Sequence, residues 1–179
     1  GRGCLAGPVV AAAVIPNPDC LIPGADDSKR LSPETRTRLA AAIRETAIAF
    51  AVVAVPAGII DRINILAATR LAMRQALGQL AVRPDAVVVD AVTLQDLELP
   101  GPSHPVPPCL ALVQADAWSY AVACASIVAK EARDRKLLEL DREYPLYGFA
   151  RHKGYGAPDH LQALARYGPT PLHRLTFRS

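Results

Sequence analysis

Residues 112–134 read Leu-Val-Gln-Ala-Asp-Ala-Trp-Ser-Tyr-Ala-Val-Ala-Cys-Ala-Ser-Ile-Val-Ala-Lys-Glu-Ala-Arg-Asp, a short apolar run, one carboxylate at Asp116 and then a long helical pattern. Ala121, Ala123, Cys124, Ala125 and Ser126 carry almost no bulk, so such a helix can lie close against a sheet. A carboxylate where a buried strand hands over to a helix is held by a rigid scaffold, and one of its oxygens can reach a hydrated cation. The same aspartate could instead serve as a helix cap.

The rest of the chain supplies the layers. Residues 9–15 form an apolar run between Gly7-Pro8 and Pro16, a buried strand. Ser32-Pro33-Glu34 has the order of a helix start: a hydroxyl N-cap, proline at the first helical position and an acid in the first turn. Residues 47–55 predict a second strand, stopped by Pro56. Ile59, Ile63, Leu66, Met73, Leu77 and Leu80 recur at helical spacing and predict one longer helix, in which Met73 is core packing. The β-branched run at residues 86–90 shows no alternation, as in a strand covered on both faces, and it ends on Asp90. Residues 99–108 hold five prolines and one glycine, an exposed connection that makes His104 a surface histidine. Residues 109–114 are the strand leading to Asp116. In the long helix that follows, Glu131 and Arg135 are spaced as an i,i+4 ion pair. A last helix runs from Pro158 to Arg166 and is closed by Gly168-Pro169.

Composition excludes more than it specifies. No apolar run is long enough to span a bilayer, and no charged segment followed by an apolar core opens the chain. The four cysteines, Cys4, Cys20, Cys109 and Cys124, have neither zinc-knuckle nor disulfide-framework spacing, which predicts reduced thiols and a cytoplasmic protein. The formal charge of +3 is modest, but Arg142, Arg151, Lys153, Arg166, Arg174 and Arg178 bias the C-terminal part toward cations. A phosphodiester substrate would call for such a region beside an acidic metal site; a solvated surface is the alternative. No Ser/His/Asp arrangement, zinc spacing or Walker lysine competes with the two strand-end aspartates.

Five blocks in order carry a resemblance: Gly1-Arg-Gly-Cys-Leu-Ala-Gly-Pro-Val-Val; Asp26-Asp-Ser-Lys-Arg-Leu-Ser; Ile63-Asn-Ile-Leu-Ala-Ala-Thr; Asp116-Ala-Trp-Ser with Ala125-Ser-Ile-Val-Ala-Lys and Arg133-Asp134; and His152-Lys-Gly-Tyr-Gly with Pro171-Leu-His-Arg. Together they resemble the type 2 ribonucleases H, from the first residue nearly to the last. The resemblance implies a ribonuclease H-like α/β fold, a mixed five-stranded sheet flanked by helices. It implies a single domain over residues 1–179, with a small helical extension at about 142–179. It also implies a monomer with no membrane partner.

The family's site uses an Asp-Glu pair just before the Ala-Gly-Arg-Gly motif and one aspartate from each of two strands. Asp90 and Asp116 match the latter two, as catalytic residues and metal ligands for Mg²⁺ or Mn²⁺. The first pair and its central strand are not in this sequence, which starts at Gly1-Arg2-Gly3 and has Met73 as its sole methionine. The chain thus reads as a piece of a longer one, expected to be inactive and poorly folded alone. Ala91 stands where glycine is usual, Gln114-Ala115 where Lys-Gly is usual, and Ala157 where a capping hydroxyl is usual.

Substrate reading, by the same resemblance, falls to Gly1, Arg2 and Gly3 at a ribose 2′-OH and to Tyr155 at the adjoining deoxyribose. Tyr155 could otherwise be a loop aromatic packed on the core. Lys29 and Asn64 are further candidates for phosphate or sugar contacts; a helix-flanking lysine and a helix-stabilising amide are their alternatives. Lys153 is a candidate phosphate contact and His152 a structural residue. The implied function is endonucleolytic, metal-dependent cleavage of RNA in RNA/DNA hybrids and at ribonucleotides embedded in duplex DNA. The alternatives are a non-catalytic hybrid-binding module and another two-metal nuclease on the same fold.

Overall fold

A computed structural model of the chain describes residues 1–25, 28, 31–90 and 107–177. Lys29, His104, Ala91, most of the proline-rich connection and Arg178 lie outside the described residues. The described strands are β1 (Val9–Ile15), β2 (Ala49–Val55), β3 (Val87–Asp90) and β4 (Cys109–Leu112). The helices are α1 (Pro33–Thr46), α2 (Ala57–Ile63), α3 (Ile65–Gly78), α4 (Tyr120–Glu143), α5 (Phe149–His152) and α6 (Pro158–Tyr167). Among the described residues the strands form two pairs, β1 with β2 and β3 with β4, rather than one five-stranded sheet.

The residues fall into two compact units. One comprises Ala11–Val53 and Arg70–Glu131. In it α1 begins as its sequence requires: the Ser32 side chain accepts the Thr35 N–H at 3.2 Å, with Pro33 next and Glu34 in the first turn. Leu39, Ala40 and Ile43 of α1 pack on Cys124, Ile127 and Val128 of α4, with Ala12, Val14 and Val52 from β1 and β2 against them. The small residues of α4 thus allow the close packing that the sequence suggests, and Cys124 is a buried free thiol. Glu131 of α4 ion-pairs with Arg44 of α1. Val87 and Val89 are buried against Met73, Leu77 and Ala111, so Met73 is core packing. Val88 and Asp90 are only half-buried, which corrects the expectation of a strand covered on both faces.

The other unit comprises Gly1–Val10, Ala54–Thr69 and Ala132–Ser179. Its core gathers Ala6, Leu137, Leu140, Tyr147, Phe149 and Ala163. The fully buried Phe149 ring stacks on Tyr147 at 5.7 Å and meets His160 edge-on at 5.5 Å.

The expected single helix after β2 is two. Asn64 breaks it with φ 65°, and its Oδ1 accepts the N–H groups of Leu66 and Ala67 at 3.0 Å each. The break shifts the apolar stripe: Ile63 and Leu66 are exposed, while Ile60, Ala68, Ala72 and Ala76 are buried. At α6, Ala157 makes no side-chain capping bond, as an alanine must. Among the described residues no helix is long and apolar enough to cross a membrane.

Candidate active site

Asp90 is the last residue of β3, where parallel pairing sets it opposite Leu112 of β4. Beyond Leu112 the chain turns sharply. Gln114 adopts the left-handed conformation at φ 55°, and Ala115–Ala117 form one turn of 3₁₀ helix. Ala115 is fully buried, and its N–H donates to Asp90 Oδ1 at 3.1 Å. That bond ties the turn carrying Asp116 to the end of β3. Both carboxylates are half-buried. Asp116 precedes α4 by four residues and therefore does not cap it, which removes the plainest alternative reading of this residue.

Strand-end carboxylates are hard oxygen donors and suit Mg²⁺ or Mn²⁺ better than a soft thiophilic ion. Their chemistry fits such an ion, but their number is small. Among the described residues no group of three or more His, Cys, Asp or Glu side chains could hold a metal. Asp90 and Asp116 could therefore supply only part of a cation's shell, and water, substrate phosphate or further carboxylates would have to complete it.

The Gly1-Arg2-Gly3 segment and Tyr155 belong to the other unit, and two buried arginines organise their neighbourhood. Arg133, 2% exposed, donates to Pro8 O at 3.2 Å, Lys153 O at 2.9 Å and Ala6 O at 3.2 Å. Arg174, also 2% exposed, donates to Gly7 O at 3.1 Å, Arg2 O at 2.8 Å and Gly1 O at 2.9 Å. Burial pulls the Arg174 guanidinium down to about 10, still a cation near neutral pH. Gly154 O accepts the N–H groups of Leu5 at 2.8 Å and Ala6 at 3.2 Å, which joins the first segment to the Tyr155 loop. This approach requires glycine. Gly154 has φ +80°, and a Cβ there would collide with the Ala6 carbonyl.

Tyr155 is 46% exposed, with the Arg133 guanidinium 6.0 Å from its ring centroid. Partial burial, with the Cys4 thiol beside it, pushes its phenol above the usual range. The hydroxyl stays protonated near neutral pH and can donate. Behind the loop lies a chain of histidines. The Thr170 N–H donates to His173 Nδ1 at 2.9 Å, the two Nε2 atoms of His173 and His160 lie 3.0 Å apart, and His160 Nδ1 meets Tyr155 O at 2.7 Å. One set of tautomers satisfies all three contacts: His173 donates through Nε2, and His160 donates through Nδ1. Both rings are then neutral. His152 is structural as expected. Its Nδ1 accepts the Gly154 N–H at 3.1 Å, its Nε2 donates to Tyr147 O at 2.8 Å, and its ring stacks on His160 at 4.4 Å.

The structure thus brings Asp90 to the Asp116 turn in one unit and Tyr155 to the Gly1–Gly3 segment in the other. Asn64 is exposed, with its Oδ1 spent on capping α3. Lys153 Nζ turns back to Ala150 O. Sequence reasoning assigned no role to Arg133, His160 or His173, and counted Arg174 only among the cations of the C-terminal part, whereas it is buried. For Arg133 a signal existed: it shares a helical stripe with Leu137 and Leu140, where a cation is out of place unless it serves the backbone.

The whole chain, residues 1–179, matches the family model described as Ribonuclease HII. It is 50% identical over 178 residues to Ribonuclease HII of Geobacillus kaustophilus, covering 99% of this chain and 65% of that protein. The chain therefore spans just under two thirds of that relative's length. Among solved structures, the ribonuclease H2 of Pyrococcus horikoshii superposes with a TM-score of 0.80 at 24% identity, covering 99% of this chain and 90% of that one. A Bst-RNase HIII structure in complex with Mn²⁺ gives 0.72 at 21% identity, with 99% and 64% covered. These two likenesses give the fold, ribonuclease H-like α/β. With the family model spanning every residue, the chain belongs to the ribonuclease HII family.

Proposed function

We propose that the protein to which these residues belong is an endonuclease that hydrolyses RNA in RNA/DNA hybrids and cuts at ribonucleotides embedded in duplex DNA. The observation that carries this reading is the bond from the Ala115 N–H to Asp90 Oδ1, which ties the carboxylate at the end of β3 to the turn that carries Asp116, in a chain of this family. Asp90 and Asp116 would hold Mg²⁺ or Mn²⁺. The Mn²⁺ complex of the similar Bst-RNase HIII supports that choice of ion. When bound, such ions would supply water activation and charge neutralisation at the departing oxygen.

The protein's own groups do the rest. The Asp90 carboxylate is held in place by the Ala115 N–H, so it need not reorganise when the substrate arrives. Backbone groups of Gly1, Arg2 and Gly3 approach the ribose 2′-OH, and Tyr155 packs on the adjoining deoxyribose and donates its hydroxyl. Lys29 and Asn64 contact phosphate or sugar. All 179 residues act as one catalytic domain, whose five-stranded mixed sheet is completed by the strand bearing the Asp-Glu pair. Residues 1–179 alone do not cut hybrids, since among the described residues two carboxylates stand without a third ligand; the alternative reading is a non-catalytic hybrid-binding module.

The test is made in the complete protein. Asp90→Asn and Asp116→Asn should each lower metal-dependent cleavage of a singly ribonucleotide-substituted duplex at least ~100-fold, with unchanged melting. Near-parental turnover by either variant would return that aspartate to a structural role.

A further inference from the structure

The Gly1–Gly3 segment is exposed, and glycine-rich chain has no fixed conformation of its own, yet reading a single hydroxyl demands fixed donors. Arg174 supplies the fixing. Its Nη1 donates to Arg2 O at 2.8 Å and its Nη2 to Gly1 O at 2.9 Å, so one planar fork grips two consecutive carbonyls. The fork is itself anchored. Nε donates to Gly7 O at 3.1 Å, and the Arg174 N–H donates to Leu5 O at 2.8 Å. Just beyond it, Asp61 accepts the N–H groups of Leu175 at 2.9 Å and Thr176 at 3.0 Å and the Thr176 hydroxyl at 2.7 Å.

The described residues contain no cis peptide bond, and in a trans peptide the C=O and the N–H point in opposite directions. Drawing the Gly1 and Arg2 carbonyls onto the guanidinium therefore turns the Arg2 and Gly3 N–H groups away from it. Among the described residues neither N–H has an acceptor, and the segment that carries them is exposed. Two successive N–H groups left facing outward are suited to donate to one electronegative oxygen.

We propose that Arg174 is a positioning residue for ribose recognition: by holding the Gly1 and Arg2 carbonyls it presents the Arg2 and Gly3 N–H groups together to a substrate 2′-oxygen. The inference rests on the assignment of Gly1–Gly3 to ribose reading. A lysine cannot replace this arginine, because one ammonium on a flexible stem does not hold two carbonyls in a plane.

In the complete protein, with Ca²⁺ in place of Mg²⁺ to suppress turnover, a DNA duplex bearing one ribonucleotide and its all-deoxy counterpart are titrated against parent and Arg174→Lys. The expected result is that Arg174→Lys loses about tenfold of the preference for the ribonucleotide duplex, the worth of one hydrogen bond, with all-deoxy affinity unchanged. A retained preference overturns the inference, as does a parallel loss of affinity for both duplexes with a lowered melting temperature, which marks a merely structural arginine. If the parent itself shows no preference, the ribose-reading assignment fails and the inference falls with it. A measurement on the unsubstituted protein guards against a variant that does not fold. The Nη protons of Arg174 should give separate, solvent-protected resonances; one rapidly exchanging, averaged signal would contradict the grip.

Discussion

A buried guanidinium is costly unless its N–H groups find acceptors, and Arg133 and Arg174 find theirs on main-chain carbonyls. A carbonyl belongs to the chain rather than to a side chain, so each arginine fixes backbone. Tyr155 profits from this: Arg133 holds Lys153 O two residues before it and lies near its ring. Tyr155→Ala should cut cleavage at a single embedded ribonucleotide about tenfold, the scale of one lost stacking contact, and hurt a long hybrid less. Only the former substrate depends on one ribose–deoxyribose junction. Equal losses measured in parallel cleavage assays would reduce the ring to packing. Residue type and local motif single out Asp90, Asp116 and Tyr155 in the sequence as candidates. The arginine grips were not legible there, since their acceptors lie 127 and 173 residues away in the longest cases.

Elements were legible wherever local chemistry decides them. Ser32-Pro33-Glu34 places the start of α1, and the apolar run between prolines places β1. The split between α2 and α3 escaped a periodicity argument, because Asn64 both breaks one helix and caps the next without interrupting the apolar spacing. The 3₁₀ turn at Asp116 escaped it too, since Gln114 shows no sign of its left-handed backbone. The histidines joining α6 to the segment after it make a pH prediction. Burial holds His160 below its ordinary value, and burial together with His160 brings His173 down to about 4. The surroundings also count: His152 adds repulsion, Asp159 partly opposes it, and Phe149 and Tyr147 keep the rings dry. Since the folded values lie below the unfolded one, the unfolded state takes up more protons between about pH 6.5 and 4. Stability from the neutral pair is complete above that window and is lost as pH falls through it, on the order of 1–3 kcal/mol. Thermal melts across the window should show the fall, and His173→Gln should flatten it while lowering melting at neutral pH.

At the scale of the molecule, β1–β2 and β3–β4 are separate pairs among the described residues, and a five-stranded sheet would need a further strand. By family resemblance that strand lies between β1 and β3 and brings the Asp-Glu pair. Each buried backbone group left unpaired costs roughly 1–3 kcal/mol, and a handful rivals the roughly 5–15 kcal/mol of a whole domain. Residues 1–179 expressed alone should therefore lack a cooperative melt and hybrid cleavage, while a version extended upstream with the Asp-Glu strand has both. A sharp melt and turnover from the shorter chain would refute this. The clasp of residues 1–7 by residues 172–174 has a consequence in time. Gly7 N–H meets Leu172 O at 2.8 Å, Ala6 bridges His173, and Arg174 grips Gly1 and Arg2. Contacts this distant in sequence must wait for loop closure, and during synthesis they must wait for residue 174 to leave the ribosome. Residues 1–3 emerge before the rest of this sequence, but the surface they build is among the last to be finished, and a nascent chain stalled before Arg174 should not distinguish ribose from deoxyribose.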